Sequence, residues 1–267
     1  MSNRAAEPRA GDTAAIRTRL EAYYSRYYDG MLRIPGWRDL VAVRLDDVVY
    51  ERRRLERLEM ALGRSVAGAR LLNVGCGTGG FNELARSVGA DAWGVDASLE
   101  AAPIAALRAP GRILGAAAEE LPFSTASFDV IYCYSTLEHV ADAARAVREM
   151  VRVLRPGGFL YLHTPNRWGC FEGHYKVFWI PGLPRRLSRA YLAARGRPTA
   201  FLATLRLLTL AECRTLVERA GARVIRILRD DADRPVGGPL WPLVRLYYRL
   251  FGINPYVELV AARGDGT

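Results

Sequence analysis

The sequence predicts an α/β fold with a mostly parallel sheet and helices on both faces. Two observations support this prediction. Short apolar runs alternate with helix-like segments between residues 70 and 163, and the first run ends in the turn Gly75-Cys76-Gly77-Thr78-Gly79. A strand that leads through a glycine-rich turn into a helix lets the backbone approach a nucleotide-like ligand closely. The length of 267 residues suits one such domain with additions.

Helix-like periodicity dominates the chain before the first strand. Residues 1–12 are small, polar and charged, and we expect them to be disordered. Residues 13–66 are predicted to form a helical cap, which Pro35-Gly36 divides into two pieces. Four tyrosines recur at helical spacing in the first piece. They favour packing over the alternative of an aromatic lid above a substrate, and they are Tyr23, Tyr24, Tyr27 and Tyr28.

The segment 67–165 contains the strand-helix alternation that would form the centre of the sheet. Arg155-Pro156-Gly157-Gly158 stops the third helix and separates it from the fifth strand. The predicted strands cover residues 70–74, 92–95, 113–116, 128–132 and 159–163, and the predicted helices cover residues 82–88, 103–108 and 143–154.

The alternation lapses after Pro165 and resumes later. Residues 166–207 are rich in aromatic residues and proline, which predicts a lid or substrate insertion rather than core. Residues 208–263 are predicted to complete the core. Their elements are a helix over residues 210–220 and strands over residues 223–228 and 256–262.

An amphipathic insertion at residues 238–252 mixes arginines with large apolar residues. One interpretation, which we favour, is a helix packed over the ligand site. The other is an interfacial helix that meets a membrane. A similar mixture occurs at residues 178–189, and both segments suit a lipid-linked or glycolipid acceptor.

The formal net charge of +10 comes almost entirely from arginine, since Lys176 is the only lysine. We attribute the excess of arginine to genome composition. The alternative is an anionic partner such as a membrane surface or a phosphorylated substrate. The charge is spread along the chain, so we do not expect a nucleic-acid partner.

The cysteines predict neither a zinc site nor a disulfide framework, because none of them forms a CxxC pair. We therefore expect a cytoplasmic location. The N-terminus lacks the apolar core of a signal peptide, and no stretch is apolar enough to span a bilayer. The four cysteines are Cys76, Cys133, Cys170 and Cys213.

An acidic residue stands where a ribose ligand is expected. Asp96 follows the second predicted strand, 21 residues after Gly75. In sheets of this type a carboxylate at that place binds two ribose hydroxyls. The glycine turn and Asp96 together fit either a nicotinamide dinucleotide or S-adenosylmethionine (SAM).

Four later motifs distinguish between these two cofactor assignments. They are Leu121-Pro122-Phe123, Ser127-Phe128-Asp129-Val130, Leu137-Glu138-His139-Val140 and Val153-Leu154-Arg155-Pro156-Gly157-Gly158. This ordered set, over residues 68–165, resembles the class I SAM-dependent methyltransferases, particularly the group that includes enzymes of ubiquinone and menaquinone biosynthesis. The resemblance implies a Rossmann-like sheet of seven strands.

The same resemblance implies SAM as the cofactor and S-adenosylhomocysteine as its product. Two residues depart from the family pattern. Asn73 replaces the usual acid of the first strand, and Ala117 replaces an aspartate that often meets the adenine. The residues that the resemblance assigns to cofactor binding are Asn73, Gly75, Cys76, Gly77, Gly79, Asp96, Ala97, Ala118, Glu119 and Tyr134, with Leu121, Tyr132 and Cys133 nearby.

Transfer of a methyl group needs mainly alignment of the acceptor atom, and a general base helps when that atom is a hydroxyl oxygen. The candidates are the three histidines of the chain, His139, His163 and His174. Some relatives bind a divalent metal through a Glu-x-x-Glu-His arrangement. Here Ser135 occupies the first acidic position, so we predict no metal.

The sequence therefore predicts methylation of a hydroxyl on a small molecule, which is a secondary metabolite, a saccharide or a glycolipid. The runs Thr164-Pro165-Asn166-Arg167-Trp168 and Glu172-Gly173-His174-Tyr175 resemble bacterial methyltransferases of polysaccharide and secondary-metabolite pathways. The alternatives are an N- or C-methyltransferase and a SAM-binding partner protein without catalysis. A peripheral contact with the inner membrane face and a homodimer both stay open.

Overall fold

The computed structural model describes residues 10–46, 48–229 and 240–264. Within them, seven strands form one sheet and two short strands form a separate hairpin. The strands are β1 (Arg70–Val74), β2 (Asp91–Asp96), β3 (Ile113–Gly115), β4 (Phe128–Tyr134), β5 (Leu154–Pro165), β6 (Phe171–Glu172), β7 (Val177–Phe178), β8 (Ala222–Ile227) and β9 (Tyr256–Arg263).

The large sheet has the strand order β3-β2-β1-β4-β5-β9-β8. Strands β1 to β5 are parallel to one another, while β9 is antiparallel to both β5 and β8. The predicted Rossmann-like sheet of seven mostly parallel strands is thus confirmed. Strand β1 lies between β2 and β4, where the chain order reverses. In open α/β sheets such a reversal leaves a crevice at the carboxyl ends of the strands.

Helices cover both faces of the sheet, and their ends follow local capping signals. The Asp142 carboxylate accepts the backbone N–H of Arg145 at the start of one helix, and Thr209 with Glu212 forms a capping box at another. The helices are α1 (Ala10–Ser25), α2 (Trp37–Leu45), α3 (Val48–Leu62), α4 (Gly80–Ser87), α5 (Ala101–Arg108), α6 (Ala143–Val153), α7 (Arg185–Ala194), α8 (Leu210–Arg219) and α9 (Trp241–Phe251), with a π-helical turn at Arg26–Met31.

The structure changes some predicted boundaries. Helix α1 begins at Ala10, so residues 10–12 are helical rather than disordered, whereas residues 1–9 lie outside the described residues. Strand β5 begins at Leu154, because that residue pairs with Phe128 before the sheet register shifts. The amphipathic insertion forms α9, and its predicted first residues, 238 and 239, are not described.

Two apolar clusters fill the space between the sheet and its helices. One lies under α6 and α8 and includes Ile131, Met150 and Val217. The other lies under α3 and α4 and includes Leu58 and Phe81. The parallel strands are buried on both faces, which explains their continuous apolar runs in the sequence.

A third apolar cluster joins the helical cap to the segment after β5. Tyr28 and Leu32 of the cap pack with Tyr175, Trp179 and Leu192 of that segment, and all five are buried. Residues 166–207, predicted to be a lid or substrate insertion rather than core, share this buried cluster with the cap, because both present large apolar residues toward each other.

The four cysteines are free and buried. Among the helices of the described residues, none combines the length and the apolar character that crossing a membrane requires.

Candidate active site

A cavity of about 900 Å³ opens at the carboxyl edge of the parallel strands. Three parts of the chain line it: the glycine loop 75–79 with its neighbouring strand ends, the helical cap, and the insertion after β5. Its size lies at the upper end of the roughly 300–1,000 Å³ that small-molecule sites span. The cavity therefore has room for a nucleotide-like cofactor together with a second small molecule.

The glycine loop adopts a conformation that requires glycine. Gly75, Gly77 and Gly79 have φ angles of 78°, 54° and 83°, a region that other residues occupy at an energetic cost. A Cβ atom at Gly75 would overlap the Thr136 side chain, and one at Gly79 would lie 2.8 Å from Ala105 Cα. At Gly77 it would meet open space. Gly77 thus leaves the cavity free for a ligand, while Gly75 and Gly79 allow close packing within the protein.

Asp96 stands at the end of β2 and lines the same cavity. One of its carboxylate oxygens accepts the backbone N–H of Gly77 at 2.7 Å, and the other accepts that of Ser98 at 2.8 Å. These bonds fix the carboxylate beside the loop. Each oxygen keeps a second lone pair, so the pair of oxygens fits the two hydroxyls of a ribose.

Asn73 does not line the cavity. It is buried beneath the loop, and its side-chain amide donates a 2.7 Å hydrogen bond to Asn82 Oδ1 of α4. Gly79 is also outside the lining, as are Leu121, Tyr132 and Cys133. Asn73 therefore connects β1 to α4 and does not contact the cavity directly.

The expected adenine end of the cavity contains Ala97, Ala118 and Glu119. Glu119 Oε1 accepts the backbone N–H groups of Ala141 and Asp142 at 2.7 and 3.2 Å. This carboxylate links the segment after β3 to the loop after β4. It leaves Glu119 Oε2 as an acceptor for a ligand, so Glu119 can compensate for the absence of an acid at Ala117.

His163 lies in a column of stacked side chains across the edge of the sheet. Its ring is 4.0 Å from the Tyr134 ring and nearly parallel to it, and 4.8 Å from the Tyr256 ring on the other side. The guanidinium of Arg54 covers the far face of this stack, 4.0 Å from the Tyr134 ring centre. The stacking fixes the orientation of His163 and makes it part of the cavity wall.

His139 and His174 meet inside the cavity. Their Nε2 atoms are 3.2 Å apart, so one ring donates a hydrogen bond to the other. His174 Nδ1 lies 2.7 Å from Glu172 Oε1, and Glu172 Oε2 accepts the backbone N–H of Tyr175. Glu172, His174 and His139 thus form a continuous hydrogen-bonded chain from a buried carboxylate to the cavity.

The surroundings separate the pKa values of the two histidines. Burial and the positive charge of His174 lower the pKa of His139 to about 4. Burial also acts to lower the pKa of His174, but the hydrogen bond and charge of Glu172 outweigh it and raise that pKa above its ordinary value. His139 is therefore neutral at neutral pH, while a proton that enters this chain is held best by His174.

A second carboxyl group, Glu138, lies behind the pair. Its Oε2 accepts a 2.8 Å hydrogen bond from the Thr164 hydroxyl, and its Oε1 is 3.9 Å from His174 Nε2. Burial raises the pKa of Glu138 to about 7. The buried Oε1 has no hydrogen-bond partner among the described residues.

These groups also have the chemistry of a metal site. One ligand atom each from Glu138, His139 and His174 lies within 4.8 Å of the others, and Glu172 orients His174 as outer carboxylates do for metal-bound histidines. The structure thus supplies from the insertion a third ligand in place of the acid missing at Ser135. The donor set fits a divalent cation such as Zn²⁺, and the absence of a metal stays a prediction.

Several residues of the cavity were not singled out from the sequence. The cap contributes Tyr50, Arg44 and Arg54, and the hairpin β6–β7 contributes Lys176. Helical periodicity identifies the cap as helical but does not show which of its faces meets the cavity. Only the spacing of Glu172, two residues before His174, was a local signal of their pairing.

A family model described as "Methyltransferase domain" matches residues 72–162. Curated relatives include the ubiquinone biosynthesis O-methyltransferases of Paraburkholderia phymatum and Pseudomonas aeruginosa. The first is 36% identical over 108 residues and the second 36% identical over 113 residues. Each match covers 38% of this chain and 47% of the relative. The chain therefore spans about half the length of the curated relatives that it matches.

Solved structures share the fold at low sequence identity. An S-adenosylmethionine-dependent methyltransferase from Mesorhizobium loti has a TM-score of 0.52 at 21% identity, covering 74% of this chain and 92% of its own. The [4+2]-cyclase SpnF has a TM-score of 0.53 at 23% identity, covering 79% and 82%. Residues 72–162 thus match the model of a methyltransferase domain, and the chain shares the Rossmann-like fold of SAM-dependent methyltransferases.

Proposed function

We propose that this chain transfers the methyl group of SAM to a hydroxyl of a small molecule, which is a secondary metabolite, a saccharide or a glycolipid. One observation carries the proposal: a single cavity joins the glycine loop and Asp96 to the pair His139 and His174. Oxygen is favoured as the methylated atom because the histidine pair can accept a hydroxyl proton. The names of the curated relatives, which are O-methyltransferases, agree with this choice.

At the cofactor end of the cavity, the backbone of the glycine loop and two carboxylates of the protein would hold SAM. Gly77 leaves space for the ligand, Asp96 offers oxygens to the ribose, and Glu119 offers one to the adenine. When bound, SAM supplies an activated methyl group on a positively charged sulfur. The protein then needs to position the acceptor in line with that group, which is catalysis by proximity.

The histidine chain would receive the proton of the acceptor hydroxyl. The step starts from neutral His174, whose Nδ1–H is donated to Glu172. His139, also neutral, takes the hydroxyl proton on Nδ1 while its Nε2 proton passes to His174 Nε2 across the 3.2 Å hydrogen bond. The negative Glu172 then stabilises the charge on His174. The hydroxyl oxygen becomes a better nucleophile as it loses its proton, and the positive charge ends on the histidine with the higher pKa.

A second form of this function has its own observation. A divalent cation on Glu138, His139 and His174 would polarise the acceptor oxygen and make a separate base unnecessary. The metal content of the purified protein and its activity after chelation separate the two forms. Stoichiometric metal and loss of activity with chelator would favour the cation.

The alternatives to O-methylation differ in what they require of the cavity. N- or C-methylation needs less help from a base, so it would tolerate loss of both histidines. A SAM-binding partner protein would bind the cofactor without turnover. SpnF, a cyclase with this fold, illustrates that the fold alone does not determine the reaction.

Cofactor binding is the first test. Titration calorimetry with S-adenosylhomocysteine is expected to show binding to the wild-type chain. Asp96→Ala should weaken that binding at least tenfold, because a charged hydrogen bond is worth about 1.5–3 kcal/mol. Asp91→Ala is the matched control at the opposite end of β2, where the carboxylate pairs with Arg112 on the surface. No binding by the wild-type chain would contradict the proposed function.

A further inference from the structure

The acceptor side of the cavity contains two cations, Arg44 of α2 and Lys176 of the β6–β7 hairpin. Both line the same cavity, one from the cap and one from the insertion. Two like charges that face one cavity repel each other, and an anion bound between them removes that repulsion.

Nearby acids are engaged with other partners. Within residues 10–46, 48–229 and 240–264, neither Arg44 nor Lys176 forms an ion pair with a carboxylate. The acids that line the cavity have these partners: Glu51 binds Arg54, Glu100 binds Arg26, Asp96 accepts the backbone N–H groups of Gly77 and Ser98, and Glu119, at the expected adenine end, accepts those of Ala141 and Asp142. Glu172, beside the cavity, binds His174. The acceptor side of the described cavity is therefore positively charged.

Arg44 is held in place without a carboxylate, and Lys176 has a constrained backbone. Arg44 Nε donates to the Tyr28 hydroxyl at 3.1 Å, and its guanidinium lies over the Tyr50 ring, 4.3 Å from the ring centre. Lys176 has a φ angle of 54°, which non-glycine residues rarely adopt. Such a backbone conformation persists where the surrounding structure enforces it, and it often occurs at ligand sites.

The hairpin places Lys176 two residues after His174, so the positive charge and His174 lie in the same turn. Aromatic side chains surround this turn. The Phe201 ring lies 5.4 Å from the His174 ring and 5.6 Å from the His139 ring, and Tyr27 and Tyr50 also line the cavity. These walls favour a ring-shaped acceptor between the histidines and the two cations.

We propose that the acceptor carries a carboxylate or phosphate group that binds between Arg44 and Lys176 while its hydroxyl faces His139 and His174. This inference rests on the proposed function and adds the class of acceptor to it. Carboxylate and phosphate share the chemistry that a guanidinium and an ammonium recognise. The neutral remainder of the acceptor would contact the aromatic walls.

The test compares charged probes with their neutral analogues. Calorimetry on the protein saturated with S-adenosylhomocysteine measures 4-hydroxybenzoate against 4-hydroxybenzamide, and glucose 6-phosphate against glucose. We expect the charged member of at least one pair to bind about tenfold more tightly, which corresponds to about 1.4 kcal/mol. The pair that shows the preference identifies the carboxylate or the phosphate as the anion.

Variants then assign the preference to the two cations. Lys176→Gln should remove most of the preference for the charged probe, and Lys176→Arg should retain that preference. Lys176 is exposed and forms no hydrogen bond among the described residues, so we expect its variants to fold. Arg219→Gln removes an equal charge from the exposed side of α8 and should leave the preference unchanged. Arg44→Gln is the second variant, with its melting temperature measured alongside.

Equal affinity for charged and neutral probes would overturn the inference, as would a preference that survives both Lys176→Gln and Arg44→Gln. These outcomes are distinct from failure of the proposed function. Absence of S-adenosylhomocysteine binding contradicts the methyltransferase proposal. The preference for charged probes can still be measured on the protein without S-adenosylhomocysteine, so the two failures are distinguishable.

Discussion

At the scale of single residues, the site combines groups whose ionisation is controlled by burial and by one partner each. His139 is buried beside a positive neighbour, His174 is paired with Glu172, and Glu138 is buried without an ion-pair partner closer than 3.9 Å. Groups with shifted pKa values cluster at functional sites because catalysis needs protons held or released at neutral pH. Glu138 and His139 come from the loop after β4, and His174 comes from the insertion.

The histidine pair gives the first prediction. His139→Ala and His174→Ala should each lower kcat by about 10²–10⁴, because a positioned general base contributes that much to proton transfer. Affinity for S-adenosylhomocysteine should stay unchanged, which calorimetry checks. His163→Phe preserves the stack with Tyr134 and Tyr256 and is the control, with turnover close to wild type. If all the histidine variants turn over like wild type, the assignment of the base is wrong.

Glu138 gives a prediction about pH and stability. Its pKa is about 7 in the folded chain and 4.5 ordinarily, so between these values the folded state holds a proton that the unfolded state releases. Stability from this group is therefore present below pH 4.5 and lost as pH rises to 7. Glu138→Gln cannot titrate. Its unfolding free energy relative to wild type should increase over that window by about 1–3 kcal/mol.

Urea unfolding at several pH values between 4.5 and 7.5 measures this difference. Glu120→Gln is the control, because Glu120 is exposed and its only described ion pair, with Arg145, is 3.5 Å long. A difference between Glu138→Gln and wild type that does not change with pH would contradict the burial argument. His139 acts in the opposite direction between pH 4 and 6.5, so the wild-type profile alone cannot isolate Glu138.

At the scale of elements, helix α3 connects the cap to the sheet. Arg57 of α3 donates two 2.7 Å hydrogen bonds to Glu258 of β9, and the Tyr161 hydroxyl of β5 donates to the same carboxylate at 2.6 Å. Glu258 is 3% exposed. One buried carboxylate therefore joins a helix and two strands, and it fixes the wall of the cavity that α3 provides.

Removal of this carboxylate is predicted to destabilise the chain. Glu258→Ala leaves the buried Tyr161 hydroxyl without its acceptor and a partly buried guanidinium without its anion, at a cost of about 2–4 kcal/mol. Thermal unfolding followed by circular dichroism measures the effect. Glu218→Ala, which breaks an exposed pair with Arg214 on α8, should change stability by less than about 0.5 kcal/mol. Equal melting temperatures for the two variants would refute the prediction.

At the scale of the whole molecule, helix α9 presents an apolar stripe to the surface. Val244 and Tyr248 face inward and pack against the insertion. Arg245 and Arg249 each directly precede a leucine of the exposed stripe. Some apolar residues of the helix are thus buried against the protein, and others are exposed to solvent. The exposed members are Leu243 (64%), Leu246 (51%), Leu250 (70%) and Phe251 (69%).

We propose that this stripe contacts an anionic membrane surface, since apolar residues beside arginines are typical of interfacial helices. Flotation with vesicles that contain phosphatidylglycerol should recover wild-type protein, and the double variant Leu250→Glu/Phe251→Glu should not float. Met60→Glu changes an exposed apolar residue on α3 and is the control. Absence of wild-type protein from the vesicle fraction, or equal flotation of all variants, would remove the membrane proposal.

The strand-helix order was predictable because it depends on local signals. The glycine turn after β1 and the Asp96 carboxylate are specified by neighbours in the chain, and the observed strands lie close to the predicted ones. Most of the site residues were also predictable from motifs in the sequence. Eleven of the thirteen proposed site residues line the cavity, and Asn73 and Gly79 do not. Motif spacing did not show that Asn73 lies beneath the loop.

The sequence by itself thus determined the sheet, the glycine loop and the resemblance to SAM-dependent methyltransferases, since each depends on residues within a few positions of one another. Only the tertiary structure decided which distant residues meet, such as His174 and His139 or the cap and the insertion, and that Lys176 and Arg44 line one cavity. The physical reason is that side-chain periodicity identifies a buried face but not its partner. That partner is chosen by packing between segments more than a hundred residues apart, such as Tyr28 and Tyr175.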